Sequence, residues 1–337
     1  MQKLRKILFP FSLLYGGIVW LRNKFFDWEW ISSKAYEFPV ICVGNLSVGG
    51  TGKSPMIEYL IRLLKEDYRI ATLSRGYKRK TKGFYLLKGE EEAIQTGDEP
   101  LQFKNKFPNI EVAVDENRQN GIFQLRKLQP KPEIILLDDA FQHRKVKPGF
   151  SILLTAYDSI YAKDLMLPAG NLREPKVGAK RANIIVVTKC PESLTVEKQQ
   201  SIKTKLKLKT HQNIYFSFIN YAEEITNEKN KLKLEDLQQK EFTLVTGIAK
   251  PKPLVEFLKK KELNFIHHNF PDHHNFSEKE IIALQKEDFI LTTEKDFMRL
   301  KNVISSEKLY YLPIKQDFLN HKTRFDKEVL QWVNSNL

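Results

Sequence analysis

The sequence predicts an α/β protein: a phosphate-loop NTPase-like, mostly parallel sheet with helices on both faces, followed by a smaller α/β unit. Three observations carry that expectation. From Phe38 onward, short β-rich apolar runs alternate with longer helical segments, and strands buried on both faces read as continuous hydrophobic runs of this kind. One run, Val40–Val43, leads into a glycine-rich turn and then a Lys-Ser pair at the head of a helical pattern, the order a phosphate cradle requires. Another, Glu133–Leu137, ends in Asp138-Asp139, where phosphate-loop enzymes place the acid that orients Mg²⁺.

The N-terminal segment, residues 1–37, stands apart. Lys3, Arg5 and Lys6 precede an uncharged run from Ile7 to Leu21, and Arg22 and Lys24 follow it. A helix of about 15 residues reaches roughly 22 Å, short of the roughly 30 Å hydrocarbon core. No small-residue cleavage pattern follows, so a signal peptide is disfavoured. Three readings stay open: a spanning helix with snorkelling flanks, a buried core helix, and an in-plane anchor. The short length, the basic flanks and Phe25, Phe26, Trp28 and Trp30 at headgroup level suit the in-plane anchor best.

Strands are expected at Pro39–Gly44, Tyr68–Ser74, Ile110–Val114, Glu133–Leu137, Ser151–Thr155, Asn183–Thr188 and Ile214–Phe218. Together they define a nucleotide-binding domain over residues 38–219. The polar segment 220–239 breaks the rhythm and reads as a linker. A second domain over residues 240–337 follows, with strands at Phe242–Thr246, Phe265–His268, Phe289–Thr292 and Leu309–Pro313 and a closing helix at Asp326–Val333. Ser277 and Glu280 have capping-box spacing and start one of its helices. A cleft between two such units is a favoured ligand site.

The 55 Lys and Arg exceed the 41 Asp and Glu by 14. Such an excess favours an anionic partner: nucleic acid, acidic lipid or a phosphorylated substrate. No nucleic-acid module signature is present, and no obligate protein partner is evident. Cys42 and Cys190 have neither zinc nor redox spacing and read as buried thiols in a reducing compartment.

In Gly44-Asn45-Leu46-Ser47-Val48-Gly49-Gly50-Thr51-Gly52-Lys53-Ser54, residues Ser47, Val48, Gly49, Gly50, Thr51, Gly52, Lys53 and Ser54 are the candidate phosphate contacts. Backbone N–H groups at the helix start point at the phosphates, Lys53 supplies a point charge and Ser54 holds Mg²⁺. Ser47 stands where the strict motif has Gly, so the loop is a variant. Asp138, Asp139 and Glu99 are the further metal candidates. In Thr188-Lys189-Cys190-Pro191, Pro191 replaces the Asp that would read guanine, which argues for ATP. The histidines His267, His268, His273 and His274 cluster in sequence, but the first two face opposite sides of a strand and no Cys is near. A charge-orienting His beside Asp272 is favoured over zinc.

Taken together the motifs resemble the tetraacyldisaccharide 4′-kinase family. The variant loop with Ser47, Leu73-Ser74-Arg75-Gly76-Tyr77, Gly97-Asp98-Glu99-Pro100, and Asp138-Asp139-Ala140-Phe141-Gln142-His143-Arg144 occur in that family's order. Leu167-Pro168-Ala169-Gly170-Asn171-Leu172-Arg173-Glu174-Pro175, Phe270-Pro271-Asp272-His273 and Thr293-Glu294-Lys295-Asp296 continue it. Ala140 stands where Gly is usual and Asn171 where Pro is common. The resemblance implies transfer of the ATP γ-phosphate to the 4′-hydroxyl of a tetraacylated glucosamine disaccharide 1-phosphate, with Mg²⁺. It implies Asp98 as base, supported by His273, with Lys53 as a further catalytic group. Arg75, Arg118, Arg144 and Arg173 are candidates for substrate phosphates, their roles undivided. An acylated substrate and ATP imply work at the cytoplasmic face of a bacterial inner membrane, with peripheral, monotopic or single-pass attachment.

Overall fold

The computed structural model describes residues 5–77, 79–227 and 229–337. The first sheet gathers β1 (Val40–Asn45), β2 (Ile70–Ser74), β3 (Tyr85–Leu86), β4 (Glu111–Val114), β5 (Ile134–Asp138), β6 (Phe150–Ala156), β7 (Ile184–Thr188) and β8 (Asn213–Tyr221). The second contains β9 (Glu224–Thr226), β10 (Lys231–Lys233), β11 (Phe242–Thr246), β12 (Phe265–Asn269), β13 (Ile290–Thr293) and β14 (Leu309–Leu312). One more strand, β15 (Ile314–Phe318), returns to the first sheet.

The first sheet runs in the order β15-β8-β7-β6-β1-β5-β2-β4-β3. Strands β1, β2 and β4 to β8 pair in parallel; β3 and β15 close the two edges antiparallel. Every residue of β1, β5, β6 and β7 is buried, as the unbroken apolar runs require of strands covered on both faces. Strand β1 lies between β5 and β6, where the winding reverses, and such a reversal leaves a crevice at the carboxyl ends of the strands. Val43 of β1 pairs with Asp138 of β5, so the phosphate-loop turn and the paired acids open into that one crevice.

Five helices matter for the site and its attachment: α1 (Phe9–Asp27), α2 (Lys53–Leu64), α3 (Asp98–Lys106), α4 (Arg118–Leu125) and, in the second unit, α5 (Glu294–Leu300). Met56, Leu60, Ile61 and Leu64 of α2 are fully buried in the larger core beside Ile41, Val43, Ile152 and Val186. The Asn117 side chain caps α4 by accepting from the backbone of Gln119 and Asn120. Thr293 caps α5 by accepting from Asp296 N.

Two boundaries differ from the sequence expectation. Segment 220–239 is not a bare linker: β9 and β10 extend the second sheet antiparallel, and Ile225, Leu234 and Leu237 are buried in its core. The chain also does not finish in the second unit. After Pro313, β15 pairs antiparallel with β8, and a last helix, α6 (Lys322–Asn334), sinks Phe325, Val329 and Val333 into the first core. Four-residue spacing puts these three on one helical stripe. Periodicity shows that a face is buried but not against which sheet, so this return was invisible in sequence.

Helix α1 departs from a core helix in the opposite sense. Ile7, Phe9, Phe11, Leu13, Leu14, Ile18, Trp20 and Leu21 are exposed, while its contacts with the body are mostly polar. Ala169 N donates to Ser12 Oγ (2.9 Å), Tyr15 Oη to Arg173 O (3.1 Å) and Asn23 Nδ2 to Glu174 Oε1 (2.9 Å). Among the described residues no helix is long and apolar enough to cross a membrane, which removes the single-pass reading for α1.

The Phe325→Ala variant is expected to lose about 3–5 kcal/mol of stability, the cost of a fully buried aromatic. Denaturant unfolding followed by the signal of the first unit checks this; a change under 1 kcal/mol would mean that α6 is not integral to that core.

Candidate active site

The turn after β1 is shaped by what glycine allows. Gly49 and Gly52 have φ of 102° and 86°, left-handed values that a side chain resists. A Cβ on Gly44 would lie 2.5 Å from Phe141 Cβ, so glycine also lets the end of β1 approach the segment after β5. Asn45 Nδ2 donates to Thr51 Oγ1 (2.8 Å) and Thr188 Oγ1 to Thr51 O (2.7 Å), bracing the loop from β7. Ser47 and Thr51 are buried; Val48, Gly49 and Gly50 face solvent. Lys53 and Ser54 open α2, where unpaired N–H groups suit an anion.

The two acids differ sharply. Asp139, at φ 47°, is held by a bidentate Arg173 (3.1 and 2.7 Å) and lies 3.7 Å from Lys53 Nζ. Burial alone would push its pKa up, but Lys53 and Arg173 bring it below the ordinary value. Asp138 is deeper. Its Oδ1 has no hydrogen-bond partner, and burial, outweighing Lys53, pushes it up to about 7. A buried, unpartnered carboxylate oxygen in the field of Lys53, Asp139 and Glu99 fits a divalent cation, with Ser54 as the neighbouring hydroxyl ligand of such a loop. Among the described residues no three acidic, His or Cys side chains form a complete metal cage, as expected where phosphate oxygens and water supply the other ligands. Glu99 has another commitment: Lys295 Nζ lies 2.6 Å from its Oε1.

Across the cleft, Asp98 heads α3 and is gripped by the second unit. His273 Nδ1 is 2.9 Å from Asp98 Oδ2, and Arg299 bonds both carboxylate oxygens. His273 is itself set by its backbone N–H, which donates to Gly247 O (3.1 Å). Asp296 accepts from Gly247 N (2.9 Å) and from Arg299 Nη1 (3.4 Å), tying that turn to α5. Burial raises the Asp98 pKa, but the hydrogen bonds from His273 and Arg299 outweigh it and bring the group down to about 2. It is a fixed, fully ionised acceptor at neutral pH.

The other histidines are occupied separately: His267 with Thr246 (2.8 Å) and His274 with Glu280 (3.0 Å); His268 is exposed. The candidate arginines also separate. Arg173 joins the Asp139–Lys53 group. Arg118 is buried with Nε unpartnered, and burial lowers its pKa to about 10. Arg75 is exposed at the end of β2. Arg144 is spent on attaching α1, donating to Asn23 O (2.6 Å) and Asp27 Oδ1 (2.9 Å). Sequence reasoning missed Arg299 and the partners of Lys295. The three-residue step from Asp296 to Arg299 was the available signal, since it places both on one helix face.

The family model described as tetraacyldisaccharide-1-P 4′-kinase (LpxK) matches residues 4–334. The chain is 54% identical over 340 residues to the tetraacyldisaccharide 4′-kinase of Flavobacterium johnsoniae, covering 100% of this chain and 99% of that one. To the enzyme of the same description from Bacteroides thetaiotaomicron it is 44% identical over 360 residues, covering 99% and 94%. Among solved structures it is similar to Aquifex aeolicus LpxK in complex with ATP, with 32% identity, a TM-score of 0.80, and coverage of 98% of this chain and 99% of that one.

Because the folded pKa of Asp98 lies below the ordinary 3.8, near 2, its ionised form stabilises the fold above about pH 4. That contribution, about 2 kcal/mol, is lost as pH falls toward 2. Arg299→Met should raise the Asp98 pKa toward its ordinary value and move this loss to higher pH. Carbon-13 titration of the Asp98 carboxyl checks it; an unshifted midpoint would remove Arg299 as the cause.

Proposed function

The chain belongs to the tetraacyldisaccharide 4′-kinase family and is an ATP-dependent kinase that phosphorylates the 4′ position of a lipid A precursor; for that reaction we propose the following division of labour among its residues. The loop Ser47–Ser54 cradles the ATP phosphates through backbone N–H groups, with Lys53 neutralising their charge. Ser54 and Asp138 would hold Mg²⁺, and Asp139 orients Lys53 and Arg173. When bound, Mg²⁺ offsets negative charge on the phosphate oxygens. Asp98 accepts the proton of the 4′-hydroxyl as the sugar oxygen bonds to the γ-phosphorus and the bond to the β-phosphate oxygen breaks. His273 keeps its Nδ1–H on Asp98, and Arg299 holds the carboxylate from the other side. A weak base suffices, because in a loose phosphoryl-transfer transition state the hydroxyl proton departs late. Arg118 and Arg173 face the phosphates of ATP or the 1-phosphate of the acceptor; Arg75 guards the outer end of the crevice.

The observation that carries this reading is the carboxylate at the head of α3, ionised and held by His273 and Arg299, next in the chain to Glu99, whose charge reaches Asp138. Acceptor and donor sites thus share one electrostatic field. The acyl chains of the acceptor stay in the bilayer, which gives the exposed apolar side of α1 an occupant. At its end Phe25 stacks on Trp30 and both meet Trp28 in tilted contacts, an aromatic cluster of the kind favoured at headgroup depth. Arg22, Lys24 and Lys34 flank them and suit anionic headgroups. The chain therefore lies in the interface of the cytoplasmic leaflet, where ATP is available, without spanning it.

Phosphate transfer from γ-labelled ATP to the disaccharide 1-phosphate in micelles tests the chemistry. Asp98→Ala should lower kcat about 10²–10⁴-fold, the range for a lost general base; activity within twofold of wild type would remove Asp98 as base. For the membrane reading, Leu14→Glu with Ile18→Glu should abolish flotation with anionic liposomes and leave ATP binding unchanged. Undiminished flotation would place the lipid contact elsewhere.

A further inference from the structure

A buried group of charged and amide side chains lies away from the phosphates and has no part in the chemistry described above. Glu58 is on α2, one helical turn after Ser54. Gln102 and Lys106 are on α3, one and two turns after Asp98, so all three α3 side chains share a face. Glu294 opens α5, the helix of Lys295 and Arg299. Glu58, Gln102 and Glu294 are 2, 6 and 5% exposed. Gln102 Nε2 donates to Glu58 Oε1 (2.8 Å) and to Glu294 Oε2 (2.7 Å), which uses both of its amide hydrogens. Lys106 Nζ lies 2.7 Å from Glu58 Oε2 and 2.7 and 2.8 Å from the two Glu294 oxygens. Glu294 Oε1 also accepts from Ile314 N (3.1 Å), at the first residue of β15, where the chain passes from the second sheet back to the first.

We propose that Glu58, Gln102, Lys106 and Glu294 form a positioning cluster that sets the Asp98 helix against both the phosphate-loop helix and the Lys295–Arg299 helix. The inference rests on Asp98 being the base. Burying two carboxylates around the Lys106 ammonium, with Arg62 Nη2 also 2.9 Å from Glu58 Oε2, rarely adds net stability compared with apolar packing. What such a cluster supplies is geometry: three helices that each carry a piece of the site are joined at a fixed distance from one another. The phosphate loop sits at the head of α2, Asp98 and Glu99 at the head of α3, and their cationic partners along α5. A shift of α3 against α2 moves the base relative to the γ-phosphate without touching any nucleotide contact. Displacements of about 1 Å are enough to cost about 10²-fold in rate. Gln102 and Lys106 are the pivots, because each bonds a carboxylate from both of the other helices.

The test compares wild type with Gln102→Met, Lys106→Met and Lys106→Arg, alongside Asp98→Ala. It measures kcat for the lipid acceptor at saturating ATP and, separately, the Kd for ATP. Gln102→Met and Lys106→Met should lower kcat at least about tenfold while the Kd for ATP moves less than about twofold. Lys106→Arg, which keeps the charge and the donors, should stay within about threefold of wild type. Folded Gln102→Met and Lys106→Met with wild-type kcat would overturn the proposal. So would a parallel loss of ATP affinity, the mark of a general structural role, or a Lys106→Arg as impaired as Lys106→Met. An active Asp98→Ala would instead remove the premise, and the two failures are told apart by that variant.

Discussion

Asp98 belongs by chain position to the first sheet's α3, yet the groups that hold its carboxylate, His273 and Arg299, come from the second unit. Neither unit alone has the ionised, oriented acceptor. That cross-cleft contact, with those of Lys295 on Glu99 and of Glu294 with Gln102 and Lys106, explains how the second unit is held against α3. It also explains why the chain returns: β15 and α6 stitch the second unit back to the first core, limiting how far His273 and Arg299 can drift from α3. The passage is made through Pro313 alone, between β14 and β15.

The donor side is governed by charge held out of water. Lys53, Arg173 and Arg118 converge on the acids after β5. Lys189 adds a further, half-buried cation, its pKa lowered first by desolvation and then by Lys250, Lys295 and Lys53. Asp139 sits at the centre of these charges, ion-paired with Lys53 and Arg173. Asp138, left with an unpartnered oxygen, is the member of the pair whose burial makes sense once a cation shares the site. The paired acids are therefore unequal partners: Asp139 is ion-paired with cations of the protein, while Asp138 keeps a buried oxygen without a hydrogen-bond partner.

Helix α1 inverts the usual arrangement of a surface helix. Its polar side chains Ser12, Tyr15 and Asn23 face the body and meet residues 169–174, while most of its apolar side chains, Phe26 excepted, face outward. The same 165–175 segment contributes Arg173 to the phosphate site. The exposed apolar helix and the Asp139–Lys53–Arg173 group thus share one loop.

Much of this was legible in the chain itself. The strand–glycine–Lys53-Ser54 order and the acids closing β5 are local chemistry, since both need only a strand, a tight turn and a helix start within a few residues. The identities of Asp98 and His273 came from motif resemblance, and the apolar run after Arg5 announced an unusual N-terminus. Other features were decided only in three dimensions. The pairing of Arg299 with Asp98, the commitment of Arg144 to α1, the capture of Glu99 by Lys295, and the return of β15 and α6 to the first core all join residues that are distant in sequence. Hydrophobic periodicity encodes which face of an element is buried, and motif spacing encodes which groups are neighbours along the chain. Neither encodes which buried faces meet, because that choice is made by the packing of whole sheets and helices against one another.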